Sequence, residues 1–145
     1  MGTRSTIKFV SSFVTNEGKT IETPIVNIYQ QYDGYIDGKG HDLARWLLSK
    51  SLCNGFGSDT KANAANGVGC LAAQFIKENK KGIGNMYIVP MSDRESYNYK
   101  VIIKDYMEGE LEDLTTIKVT QYNSRKPIFV GTPSELLNFE EKYDE

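Results

Sequence analysis

One apolar stripe, Val68, Leu71, Ala72, Phe75 and Ile76, does most to restrict what this chain can fold into. Its i, i+3, i+4, i+7, i+8 spacing is that of a helix with one buried face. β-patterned runs lie on both sides of it. Before it, Thr6 to Val14 and Pro24 to Tyr32 flank the turn residues Asn16-Glu-Gly-Lys19, which predicts an antiparallel hairpin with a loop longer than two residues. A shorter helix is expected from about His41 to Ser51, with Leu43, Trp46 and Leu47 on its buried side. The stripe itself predicts a helix over about Asn66 to Lys80. Lys77, Lys80 and Lys81 gather at its C-terminal end, as the helix dipole favours.

Three further strands are expected at Asn85 to Pro90, Tyr97 to Tyr106 and Thr115 to Tyr122, with Pro127 to Val130 as an added edge strand. Thr132-Pro-Ser-Glu135 carries an N-cap, a proline at the first helical position and a capping box. The helix it opens is expected to reach about Tyr143 and to fray at its acidic end. The order is then ββααβββ(β)α. It implies an α+β fold: an antiparallel sheet of five to six strands with helices packed on one face. The other face would be partly open, or used to form a homodimer.

At 145 residues a single domain, residues 1–145, is the expectation, and its core needs no covalent staple. The net charge of −2 provides no general attraction to nucleic acid or to an anionic membrane, so neither is expected as a partner. No apolar run is long enough to span a bilayer, and no apolar segment follows Met1-Gly-Thr-Arg-Ser5, so a signal peptide is not expected either. Gly2 fits either an N-myristoylation site or simply a small second residue, and the latter is the simpler reading. Cys53 and Cys70 form no CxxC pair, and with a single histidine a metal site is not expected. The cysteines are read as buried thiols in a reducing cytoplasm. No cofactor is implied.

Chemistry concentrates in Asn27 to His41, where a strand runs through a glycine-rich turn into a helix start. Gly34 to Gly40 holds three glycines in seven positions, a shaped turn. Around it lie Gln30, Gln31, Tyr32, Asp33 and Tyr35. Tyr32 and Tyr35 offer flat faces with a polar tip, and the amides and carboxylate offer donors and acceptors. That mixture suits a planar polar ligand such as a nucleobase. It equally suits a packed corner in which Asp33 caps the Gly34 turn. Arg4 is expected at the same end of the hairpin, either paired with Asp33 or holding a phosphate.

Other candidates carry less. Asn54-Gly-Phe-Gly57 and Asn66-Gly-Val-Gly69 precede the second helix and could cradle an anion on free N–H groups. Neither a P-loop nor a dinucleotide fingerprint is present, so close packing is the expected role. His41 is the one neutral-pH acid–base group, with Asp37 and Asp42 nearby in sequence. No GxSxG elbow accompanies it. Asp105, Glu108, Glu110, Glu112 and Asp113 lack calcium-loop spacing and are expected in a solvated loop.

Gly2-Thr-Arg-Ser5, Gln31-Tyr-Asp-Gly-Tyr35 and Ala65-Asn-Gly-Val-Gly-Cys-Leu-Ala72 together resemble a family of small uncharacterised proteins of phages, giant viruses and bacteria. The resemblance spans roughly residues 2 to 105. It implies a viral setting, hence the host cytoplasm, and brings no catalytic residues.

Three functions compete on this basis. The first is a binding protein that sequesters or senses a nucleotide-like molecule, which by analogy with other small viral proteins would blunt host immunity, using Arg4, Gln31, Tyr32, Asp33, Tyr35, His41 and Asn66. The second is a hydrolase or phosphodiesterase-like enzyme using His41 and a carboxylate such as Asp33. The third is an inhibitor of a host protein acting through an open sheet face around Asn27, Tyr29 and Gln31.

Overall fold

The computed structural model describes residues 2–55, Gly57 and 60–141. Strands β1 (Ser5–Val14) and β2 (Thr20–Gln30) form the expected antiparallel hairpin, with a register shift after Phe9. A single π-helical turn (Ile36–Gly40) leads into helix α1 (His41–Leu48). Short strands β3 (Ser51–Cys53) and β4 (Ala64–Asn66) precede helix α2 (Gly67–Asn79). There follow β5 (Met86–Val89), β6 (Tyr97–Lys104), the two-residue β7 (Gly109–Glu110), the single-turn α3 (Leu111–Leu114), β8 (Thr115–Gln121), β9 (Phe129–Gly131) and α4 (Pro133–Leu137). The α4 capping box at Thr132 and Glu135 is present as the sequence predicts. The helix stops at Leu137, short of the expected Tyr143. The expected fraying of its acidic end concerns residues 142–145, which lie outside the described residues.

The fold is α+β, with a six-stranded sheet ordered β5-β2-β1-β6-β8-β9 and a small sheet ordered β4-β3-β7. The main sheet is mixed where an antiparallel one was expected. β1 and β6, its two central strands, run parallel, from Ser5 opposite Tyr97 to Ser12 opposite Lys104. Periodicity reports which residues share a face and says nothing of strand direction. β3, β4 and β7 were missed because strands of two or three residues carry too little alternation to register.

One face of the main sheet carries the core. Ile7 and Phe9, Ile28, Tyr99, Val101 and Ile103, and Ile117 and Val119 are all buried and pack with Leu43 and Leu47 of α1 and Val68, Leu71 and Phe75 of α2. The side chains that cover the sheet therefore come from the two predicted amphipathic helices.

The opposite face is partly open: Tyr87 of β5 and Val130 of β9 are exposed at its edges, while its centre is covered. β5 and β6 lie on opposite sides of the hairpin, so the chain between them crosses the sheet. Asn27 Nδ2 donates to the carbonyls of Pro90 (3.0 Å) and Ser92 (3.3 Å), and Asn27 is fully buried. Lys8 reaches Asp93 at 2.8 Å. Asn98 Oδ1 accepts from Thr6 Oγ1 (2.8 Å) and from the Glu95 N–H (3.3 Å), while its Nδ2 donates to the carbonyls of Asp93 (3.1 Å) and Glu95 (2.8 Å). Asn98, the first residue on the polar side of β6, is thus buried under a strap, while Lys100 is half-buried and Lys104 exposed; the surface assigned to a host protein is enclosed at Asn27 and half-buried at Tyr29 and Gln31.

Among the described residues no helix is long and apolar enough to cross a membrane. Cys53 and Cys70 are unbridged and half-buried rather than buried.

Candidate functional site

β2 alternates Val26, Ile28 and Gln30 toward the helices, so its last residue carries a polar side chain into the core layer. Gln30 is 5% exposed, and its Oε1 has no hydrogen-bond partner among the described residues. It lies opposite Ser5 on β1 and Met86 on β5. There it lines a cavity of about 700 Å³ between the sheet end, the π-turn with α1, and the end of α2. That volume lies within the roughly 300–1,000 Å³ of small-molecule sites.

Ile7, Leu43, Phe75 and Met86 make the inner wall apolar. Trp46 and Tyr32 add aromatic surface. Trp46 meets Phe75 edge-on at 5.0 Å, and its Nε1–H donates to Glu78 at 3.3 Å, which fixes the indole. Lys50 sits 5.2 Å from the same ring and bonds Glu78 at 2.8 Å. The Lys50 hydrogen bond holds the Glu78 carboxyl below its usual range. Tyr32 is 48% exposed.

Lys39, Arg45 and Lys81 line the cavity with the carboxylates Asp33 and Asp42. Arg45 pairs with Asp42 at 3.3 Å, and Asp33 accepts the Tyr35 hydroxyl at 3.2 Å. The Asp33 charge, with this hydrogen bond, raises the Tyr35 pKa. Lys39 and Lys81 make no ion pair among the described residues, so they leave a local positive charge on a chain of net charge −2.

The Gln31-to-Tyr35 turn shapes one wall. Asp33 has φ 57°, a conformation aspartate tolerates better than most side chains. Its carbonyl accepts the Lys39 N–H at 2.7 Å, and a Cβ on Gly38 would overlap that same carbonyl oxygen. The glycine is therefore a condition for placing Lys39.

Of the seven residues assigned to a ligand from sequence, Tyr32 and Asp33 line the cavity, together with Gln30 and Asp42 named beside them, while Arg4, Gln31, Tyr35, His41 and Asn66 do not. Gln31 follows the strand and is half-buried, so the inward amide is Gln30. The parity of Val26 and Ile28 already pointed to it. Tyr35 packs against the core edge. Arg4 is exposed and makes no ion pair with Asp33 among the described residues, while its carbonyl accepts the Tyr97 N–H at 3.3 Å. His41 Nε2–H donates to the Phe139 carbonyl at 3.0 Å, on the side where α1 meets α4. Asn66 Oδ1 accepts the Gly55 N–H at 2.8 Å. No cluster of three potential metal ligands occurs among the described residues.

The acidic residues expected in a solvated loop are partly structural. Asp105 takes the Val68 N–H (2.9 Å) at the N-terminus of α2 and the Ser11 hydroxyl (2.8 Å). The helix end read as a candidate anion cradle therefore holds the protein's own carboxylate. Glu108 accepts the Asn54 N–H at 2.7 Å. Glu112 accepts both the N–H (2.8 Å) and the hydroxyl of Ser134, at the start of α4. Burial pushes the Glu112 carboxyl up, but the Ser134 hydrogen bonds outweigh it and hold the group below its usual range.

Comparison with known proteins adds no relative: no family model, no curated protein and no solved structure matches the chain.

Proposed function

We propose that this chain is a small binding protein that sequesters or senses a nucleotide-like molecule in the Gln30 cavity. The observation that carries this reading is a cavity of about 700 Å³ that brings the Trp46 and Tyr32 rings together with Lys39 and Lys81. Trp46 and Tyr32 supply flat surfaces for a planar head group. Lys39 and Lys81 supply charge for an anionic tail. In a viral setting such a protein would lower the free concentration of a nucleotide signal in its host.

Thermal-shift and calorimetric titration with mono-, di- and cyclic nucleotides tests the reading. At a ligand concentration of 100 times Kd, stabilisation of about 2.7 kcal/mol is expected, a clear rise in Tm. The absence of any shift up to millimolar concentration would overturn it. Mass spectrometry of the released ligand should return it chemically unchanged.

A further inference from the structure

The face of the main sheet away from α1 and α2 carries a row of like charges. Lys8 lies opposite Lys100 across β1 and β6, and Lys100 lies opposite Lys118 across β6 and β8. Neighbouring strands stand about 4.8 Å apart, and like charges set directly opposite one another repel. Two of the three are neutralised within the fold, Lys8 by Asp93 of the strap at 2.8 Å and Lys100 by Glu22 of β2 at 3.0 Å. Lys118 has no carboxylate partner among the described residues, and neither has Lys104, on the same side of β6. Arg125 and Lys126 follow in the exposed loop that leaves the far end of β8, and they too form no ion pair among the described residues. In the strap, the charge of Glu95 is offset by Arg94 beside it. We infer that this side of the sheet is a docking surface for the phosphate backbone of a nucleic-acid duplex, contacted without reading its bases.

The net charge of −2 averages this positive side against acidic residues elsewhere on the chain. Thr116 and Thr120 flank Lys118 on the same side of β8 and keep their hydroxyls at least partly exposed. Lysine and threonine are phosphate-contacting side chains. Beyond the strap, this side of β6 and β8 offers Lys100, Ile102 and Lys104 on one strand and Thr116, Lys118 and Thr120 on the other, with no aromatic ring among them. Single strands are held by stacking their bases on such rings. Protein interfaces are centred on aromatic residues and depleted in lysine. A duplex keeps its bases stacked inside and presents a line of charge. The dimensions agree as well. The seven residues of β8 extend about 24 Å, against which about seven phosphates of one duplex strand fit at about 3.4 Å each. The nucleotide cavity lies among the helices on the other side of the sheet and shares none of these residues.

Fluorescence anisotropy of the intact chain with a labelled DNA duplex of about 20 base pairs, titrated between about 50 and 200 mM salt, tests this. The expected result is a Kd of about 10⁻⁶ to 10⁻⁴ M at the lower salt, equal for two unrelated base sequences, with a log–log salt slope of about −3 to −5. Lys104→Gln and Lys118→Gln should each reduce that slope by about 1 and weaken binding several-fold. Lys77→Gln, on α2 across the sheet, should change neither. Absence of binding at the lower salt, or an affinity and slope unchanged in both variants, overturns the proposal. A clear preference between the two base sequences overturns it too. So does tighter binding of single-stranded DNA, of a poly-glutamate peptide or of phosphatidylserine vesicles, each of which would assign the surface to another partner.

Discussion

The Gly34 N–H donates to the Thr3 carbonyl at 2.9 Å, and this bond fastens the start of the chain to the turn that walls the cavity. Gly2 packs against the Tyr32 ring. A Cβ on Gly34 would stand 2.7 Å from the Ser5 Cβ. Tyr99 Oη–H donates to the Gly34 carbonyl at 2.6 Å. The Gly2–Ser5 and Gln31–Tyr35 blocks, far apart in sequence, are thus one interlocked unit. Gly34→Ala should lower stability by about 1–3 kcal/mol through overpacking, read as a lower urea midpoint with unchanged m-value. Gly38→Ala should act similarly by driving Lys39 off the Asp33 carbonyl.

Asp105→Ala removes the acceptor at the first turn of α2 and strands the Ser11 hydroxyl. A loss of about 1–2 kcal/mol is expected, with faster hydrogen exchange confined to the first turn of α2. Asp105→Asn, which keeps an acceptor oxygen, should lose less. Equal losses in both would show that the charge matters more than the bond.

Asn98→Ala leaves the Thr6 hydroxyl and the Asp93 and Glu95 backbone groups without their buried partner. Unfolding should become easier by about 1–3 kcal/mol, and limited proteolysis should cut first within residues 90–96.

The Glu78 and Glu112 carboxyls titrate below their ordinary value of 4.5 in the folded chain. The unfolded chain therefore binds their protons first as pH falls. Their contribution to stability is complete above about pH 4.5 and is lost as pH drops through the folded values. Denaturation midpoints measured between pH 7 and pH 3 should show this decline, and Glu112→Gln should flatten part of it.

Lys39→Glu and Lys81→Glu should each weaken AMP binding by about tenfold in low salt, and by less at high ionic strength. Neither should change the stability of the nucleotide-free chain by more than about 0.5 kcal/mol. An affinity unchanged by both substitutions would remove the lysines from the site.

Gln30 shows how much of the site could be read in advance. Gln30 and Gln31 both adjoin the Tyr-Asp-Gly-Tyr run, and only the parity of Val26 and Ile28 separates the inward amide from its neighbour. Asp105 shows the opposite case. Nothing local marks it as the cap of a helix 37 residues away in sequence. His41 is the one histidine of the chain, and its ring bonds the Phe139 carbonyl, 98 positions later, a partner that nothing near it in sequence marks.

By itself, the sequence determined the segments that become the two long helices and the six main strands, the buried side of both helices and of β1, β2 and β6, and the capping box of α4. These depend on spacing between near neighbours, where helix and strand periods act directly on solvent exposure. Only the tertiary structure decided that β1 and β6 run parallel, that the chain from β5 to β6 buries Asn27 and Asn98, and that Gln30, Trp46, Lys39 and Lys81 meet around one cavity. Those outcomes depend on which distant segments come to lie side by side, and the pattern within a single segment carries no record of that.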